Sequence, residues 1–365
     1  MNIRVRSGVL MAVYGLILIY IFSLTDKTSD GWASYLPADI HNYISFSFAI
    51  FSVLSVSWII IFAAKELHYC FINNNSKKQI IFLAISMLLI QLVPTLIWMI
   101  PNYFDIPMHD KQPLIWFLCF FISGIVIALI CLPIYIKMVK GGKKNNKFNL
   151  IVFPLTAIGI AVAFGCIYYL CIVRYWGTTI IILLSVCGCD MMAYFTGVLF
   201  AKHKLAPVIS PKKSWEGAIL GSIITASLAV LFIYLSTFIH HGDFTSKDIP
   251  YNFFGIQFLS AVDWYKGPVW WILVVVLAML LTFFTIVGDL IFSLIKRRNN
   301  IKDFGRSIPG HGGYLDRIDS FVVVVFTFTV VMFLTSLVTA IYNNIKWHDF
   351  QGFRTIFPCW NWLSN

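Results

Sequence analysis

Between Gly288 and Asp319 the chain reads GDLIFSLIKRRNNIKDFGRSIPGHGGYLDRID, which packs four acidic side chains, six basic ones and a histidine into 32 residues. Asp289, Ser293 and Lys296 stand at i, i+4 and i+7, so they share one face if the segment is helical. The Pro309–Gly313 turn precedes a helix start carrying Asp316 and Asp319, and a glycine-rich turn leading into a helix is suited to cradle phosphate. Hard carboxylate oxygens suit Mg²⁺, which takes one or two carboxylates together with substrate phosphates. Two such sites would hold attacking and leaving oxygens in line, while Lys and Arg neutralise the charge left on a departing phosphate. The chemistry these residue types suggest is phosphoryl or nucleotidyl transfer. A loop that only set membrane topology would explain the lysines and arginines but not the carboxylates, which contribute little to orientation.

A second polar segment runs from Asp190 to Gly217, DMMAYFTGVLFAKHKLAPVISPKKSWEG. Asp190 lies well inside an apolar stretch, where a charged aspartate costs about 2.5–3.5 kcal/mol on insertion scales. It therefore faces a polar cavity, is neutral, or is bonded to Ser185 or Tyr194. Pro207 and Pro211 stiffen the loop that follows, and Ser214 is placed to cap the next helix. Ser210, Lys212, Lys213 and Ser214 could bind phosphate; the two lysines could equally be topology determinants. Cys187 and Cys189 lack a second pair to complete a metal site and read as packing residues. His203, His240, His241 and His348 show no partner pattern and read as surface or interfacial residues.

These residues need a frame, and composition supplies it. Of the 365 residues, 59% are hydrophobic and 12% charged, against roughly 25% charged in a soluble domain. Nine stretches, at 8–24, 42–64, 79–100, 114–136, 150–173, 177–200, 217–239, 269–288 and 320–343, are long enough to cross a bilayer as helices. The expected fold class is an all-α polytopic membrane protein. Span 8–24 has no small-residue cleavage pattern after it and reads as a retained anchor. With the N-terminus cytoplasmic, twenty of the 27 lysines and arginines fall on inner segments, as the positive-inside rule requires.

Six of the 16 acidic residues, Asp190, Glu216, Asp289, Asp303, Asp316 and Asp319, fall on or near the inner side of the C-terminal half. Glu66 reads as lying at an inner interface. The Gly141–Asn146 run reads as a flexible inner loop between N-terminal spans (1–149) and a catalytic region (150–365), and 240–268 as the longest outer loop. The net charge of +11 is accounted for by topology and anionic lipid headgroups. Nucleic-acid binding is excluded because no soluble basic face exists, and the scattered cysteines imply no disulfide framework.

The 288–319 segment closely resembles the motif of the phosphatidate cytidylyltransferase (CDP-diacylglycerol synthase) family. The resemblance lies in Ser293, Lys296-Arg297, Lys302-Asp303, Gly305, Ile308-Pro309, His311-Gly312-Gly313, Asp316-Arg317 and Asp319. The 190–217 segment resembles the family's Asp…Ala-Tyr-Phe…Gly stretch followed by Ser-Pro-Lys-Lys-Ser-Trp-Glu-Gly. Phe292 stands where the family commonly has Glu, and Tyr314 where an aliphatic residue is usual.

The resemblance implies transfer of a cytidylyl group from CTP to phosphatidic acid, with pyrophosphate leaving. It implies Mg²⁺ as cofactor, in one or two divalent sites or with a monovalent ion in the second. Asp289 and Asp316 would be the metal carboxylates, converging on one pocket; Lys296, Asp319 and His311 complete the catalytic set, and Asp303 supports it. Asp190, Ser210, Lys212, Lys213, Ser214, Ser293, Arg297, Lys302 and Arg317 would bind substrate. A homodimer in a bacterial inner membrane, with the site facing the cytoplasm, is the implied setting. Competing readings keep the chemistry on another lipid phosphate, or make the chain a transporter or an inactive scaffold.

Overall fold

A computed structural model of the chain describes residues 38–72, 76–103, 113–144, 146–172, 176–241, 268–309 and 312–345. The elements, in order, are α1 (Ala38–Phe71), α2 (Lys77–Tyr103), α3 (Pro113–Lys140), α4 (Lys147–Ile172), α5 (Trp176–Phe200), β1 (Lys204–Ala206), β2 (Ser210–Ser214), α6 (Trp215–His241), α7 (Pro268–Arg298) and α8 (Leu315–Ile345). Among the described residues seven helices, α1 to α7, are long and apolar enough to cross a membrane. Helix α8 stands where the last expected span was placed. The expected span at 8–24, residues 242–267 of the outer loop and the tail after 345 lie outside the described residues. The protein is an all-α polytopic membrane protein, with one small sheet among the described residues. Strands β1 and β2 pair antiparallel, Lys204 opposite Ser214 and Ala206 opposite Ser210.

The chain forms two compact units. One comprises the described residues of 1–173 and 296–318; the other comprises those of 174–295 and 319–345. In the first, α2 packs on α1, α3 and α4, and α4 also meets α1 and α3. Leu67, Phe71, Leu83, Met87, Tyr135 and Phe153 are fully buried there. The Phe153 ring lies 5.5 Å from Phe71 and 5.7 Å from Tyr135, centroid to centroid. The Tyr135 hydroxyl meets Ser86 Oγ at 2.7 Å, the partner a buried phenol needs. Facing outward, Leu129, Ile130, Ile151 and Leu155 are all more than 60% exposed. Such a surface suits hydrocarbon rather than water.

The Gly141–Asn146 run is not the flexible linker its composition suggests. Lys143 N–H donates to Ile72 O at 3.0 Å, and Lys144 Nζ donates to Cys70 O (2.9 Å) and Asn299 O (3.0 Å). A side chain at Gly142 would meet Ile72 at 2.9 Å. Asn146 Oδ1 accepts from Asn149 N–H at 2.7 Å, capping α4. Residues 141–144 form a packed turn. Its lysine satisfies the carbonyls that helix ends leave open.

In the second unit α5 and α6 pack backbone to backbone. A Cβ on Gly221 would lie 2.6 Å from Ala193 N, and one on Gly217 would lie 2.8 Å from Ala193 O. Small residues four apart let helices approach this closely in lipid. Ala226, Ala229 and Ala278 form a small core with Leu184 and Val230 beside it. Cys189 is buried with its sulfur 3.7 Å from Thr282 O, a packing residue as expected.

Candidate active site

Within the second unit, helix α5, the β1–β2 hairpin and α6 enclose a cavity of ≈ 230 Å³, lined by Asp190, Ala193, Tyr194, Ser210, Lys212, Lys213 and Ser214 among others. The hairpin reverses the chain between two spans, and five contacts fix it. Ser214 Oγ accepts from Gly217 N–H at 3.2 Å, the cap its sequence predicts. Glu216 accepts from Lys202 N–H (3.2 Å) and His203 N–H (3.2 Å), and pairs with His203 Nδ1 at 2.7 Å. Trp215 N–H donates to His203 O at 3.0 Å. His203, read from sequence as a partnerless surface residue, is thus one side of the clasp at the hairpin's base.

Asp190 is exposed and lines this cavity, so the carboxylate inside α5 faces open space. Lys213 pairs with Asp289 Oδ2 on α7, and Ser293 Oγ donates to Asp289 Oδ1 at 3.2 Å. The i, i+4 relation between Asp289 and Ser293 therefore takes the form of a hydrogen bond. Both members of the Lys213–Asp289 pair are about a quarter exposed (24% and 23%). The pair is reachable from solvent.

The first unit holds a different arrangement at 296–316. Helix α7 ends with Ile301 N–H on Lys296 O (3.0 Å) and Asn300 in the left-handed region at φ 56°, a Schellman-type stop that Asn tolerates. Asn299 Oδ1 accepts from Asn149 Nδ2 at 2.9 Å. Lys296 Nζ donates to Asp316 Oδ1 at 3.1 Å, with the side chains only 12% and 5% exposed. Asp316 Oδ2 accepts the N–H groups of Phe304 and Gly313, both at 2.9 Å. Glu66, near the end of α1 and 4% exposed, accepts from Ser307 Oγ (2.6 Å), Tyr314 N–H (3.1 Å) and Leu315 N–H (2.9 Å). Gly312, at φ 86°, makes a turn conformation that L side chains rarely adopt.

The expected phosphate cradle is therefore occupied from within. The amides of Gly313, Tyr314 and Leu315 bind the chain's own carboxylates. Glu66 is the residue that sequence reasoning missed as part of this segment. Its signals were a carboxylate at the end of an apolar span and the Lys65-Glu66 step, where the N-terminal half resembles the family beyond hydropathy. Tyr314, the departure from the family pattern, stacks on Phe62 at 4.8 Å between ring centroids. Phe292 is buried at 3%.

Of the other predicted site residues, Arg297, Lys302 and Arg317 are exposed, and Arg297 reaches Ile301 O at 3.5 Å. Asp319 accepts from Ser320 N–H at 2.8 Å. His311 lies outside the described residues.

A carboxylate offers about four acceptor positions, and Mg²⁺ needs one or two carboxylates, the rest being phosphate and water. Asp289 has two positions taken, one of them by the Lys213 ammonium. Asp316 has three taken by protein donors. Each fits as a single carboxylate ligand; among the described residues no group of three or more His, Cys, Asp or Glu forms an all-protein metal cage.

Residues 36–335 match the model of the cytidylyltransferase family. A Mycoplasma pneumoniae protein provisionally described as a phosphatidate cytidylyltransferase is 29% identical over 296 residues, 76% of this chain and 72% of that protein. The phosphatidate cytidylyltransferase of Haemophilus influenzae is 37% identical over 152 residues, 42% of this chain and 44% of that enzyme. That of Pseudomonas aeruginosa is 34% identical over 156 residues, 43% of this chain and 47% of the enzyme. The matched region thus spans less than half the length of these last two relatives. With a family match that runs through both polar segments and most of the spans, the chain belongs to the cytidylyltransferase family of membrane enzymes.

Proposed function

We propose that this enzyme transfers a cytidylyl group from CTP to phosphatidic acid, giving CDP-diacylglycerol and pyrophosphate for phospholipid synthesis. The observation that carries the reading is the cavity lined by Asp190, Ser210, Lys212, Lys213 and Ser214, with Lys213 leaning on Asp289. It combines movable cations with hydroxyls and a carboxylate, in a helical unit whose outer surface is apolar. A phosphate oxygen of phosphatidic acid, already ionised at neutral pH, attacks the α-phosphorus of CTP. The new P–O bond forms as the bond to the β-phosphate breaks, and pyrophosphate carries away the electron pair. No covalent enzyme intermediate is required.

Lys212 and Lys213 bind the triphosphate, and Lys213 does so by leaving Asp289. Lys296 neutralises charge on the departing pyrophosphate; such a cation acts most strongly where water is scarce. Ser210 and Ser214 donate to phosphate oxygens, Ser293 orients Asp289, and Arg297, Lys302 and Arg317 add positive potential for anionic lipid and nucleotide. Asp319 and His311 complete the catalytic set. Asp289 and Asp316 are the carboxylates that would hold Mg²⁺, whose charge would offset that of the triphosphate. The setting is a bacterial inner membrane with the site on the cytoplasmic side, where CTP is available, and the protein works as a homodimer.

The test is direct. Purified protein in phosphatidic acid vesicles with Mg²⁺ and labelled CTP should form a labelled CDP-lipid and release pyrophosphate. A protein that turns over an isoprenoid ether-lipid phosphate but not phosphatidic acid would reassign the lipid. Absence of CTP binding would overturn the reaction.

A further inference from the structure

We infer that Glu66 is a positioning residue for nucleotidyl transfer, gripping the 305–315 loop so that Asp316 and Lys296 are held ready for substrate. The inference rests on the reaction proposed above. A carboxylate withdrawn from water costs several kcal/mol unless it is well hydrogen-bonded, and Glu66 is 4% exposed. Ser307 Oγ, Tyr314 N–H and Leu315 N–H, all from one loop, donate to it. Two of them are amides at the start of α8, which helix geometry leaves without internal partners and whose dipole favours an anion.

The loop is moulded on this carboxylate. A Cβ on Gly305 would come within 2.5 Å of Glu66 Oε1, and one on Gly313 would collide with the same carboxylate. Phe62, one turn earlier on α1, adds a ring stack on Tyr314. The adjoining amide, that of Gly313, goes instead to Asp316, together with Phe304 N–H and the Lys296 ammonium. Successive amides along Gly313–Leu315 are thus divided between two carboxylates. Without Glu66 the Tyr314 and Leu315 amides and the Ser307 hydroxyl lose their acceptor, and the turn that places Asp316 loses its support. Glu66 touches no reacting atom; it acts through the loop.

The experiment uses the full chain in phosphatidic acid vesicles, with Glu66→Gln, Ser307→Ala and the double variant. Gln keeps the size but offers one oxygen acceptor and a competing NH₂ donor. Hydrogen bonds to a charged group are worth about 1.5–3 kcal/mol, so Glu66→Gln should lower kcat/KM for CTP by roughly tenfold or more. Ser307→Ala should lower it by a smaller factor, about threefold. The double variant should be no worse than Glu66→Gln, because the pair acts as one interaction. Amide exchange at Tyr314 and Leu315 should accelerate in Glu66→Gln while exchange in α2 and α3 stays at the wild-type rate.

Multiplicative losses in the double variant, or faster exchange throughout the bundle, would reduce Glu66 to a general stabiliser and overturn the inference. So would wild-type kcat/KM in Glu66→Gln. If wild-type protein itself fails to make a CDP-lipid, the proposed reaction fails; unchanged loop exchange in Glu66→Gln would separately overturn the grip.

Discussion

Two Lys–Asp pairs stand out among the described residues, and their surroundings make them different devices. Lys296–Asp316 is closed: its side chains are 12% and 5% exposed, and the carboxylate also accepts two backbone amides. Lys213–Asp289 is open, with both members about a quarter exposed and a cavity beside the lysine. Breaking a buried pair leaves an uncompensated charge and is strongly destabilising, whereas a pair near solvent contributes about 0–1 kcal/mol to stability. The closed pair is suited to hold a loop in place. The open pair can be broken at little cost to the fold.

That contrast sets a series of expected outcomes. Asp316→Asn should have the largest effect, abolishing CDP-lipid formation and lowering folding stability by about 3 kcal/mol or more, read as turnover and as thermal unfolding in detergent. Wild-type stability in this variant would mean the closed pair holds nothing. Asp289→Asn should remove at least about 99% of turnover through loss of a metal ligand while changing stability by less than about 1 kcal/mol. A large drop in unfolding temperature there would erase the distinction between the two pairs.

Gly305→Ala should come next. With no room before Glu66, overpacking should cost about 1–3 kcal/mol and lower turnover in step, measured by the same two assays. Lys212→Ala should raise KM for CTP several-fold with kcat nearly kept, roughly the value of one charge-assisted contact. Steady-state kinetics at two salt concentrations would check it, since the wild-type advantage should shrink as salt rises. An unchanged KM would remove Lys212 from the nucleotide site.

Much of this was legible in the residues alone. Each helix over the described residues coincides with an expected span because hydropathy over about 20 residues is a local property and lipid leaves the backbone no alternative to helix. Ser214 caps α6 as read, since a cap is set by its own few neighbours. For Asp190 the sequence narrowed the choice to a cavity, a neutral carboxyl or a bonded one, because a carboxylate within an apolar helix has few tolerable environments. Residues 190–217 and 288–319 were recognisable by side-chain type and spacing.

What sequence could not supply was partnership across distance. Glu66 meets Ser307, Tyr314 and Leu315, more than 240 positions away, and nothing near Glu66 encodes that meeting. Lys144 looked like a topology charge until its ammonium was found on the carbonyls of Cys70 and Asn299. The glycine turn looked like a vacant anion site because composition reveals donors but not which acceptor reaches them first. Local physics chose the helices and the chemically able side chains. Only the packed chain decided which carboxylate is sealed among amides and which faces open space, because burial depends on every neighbour at once.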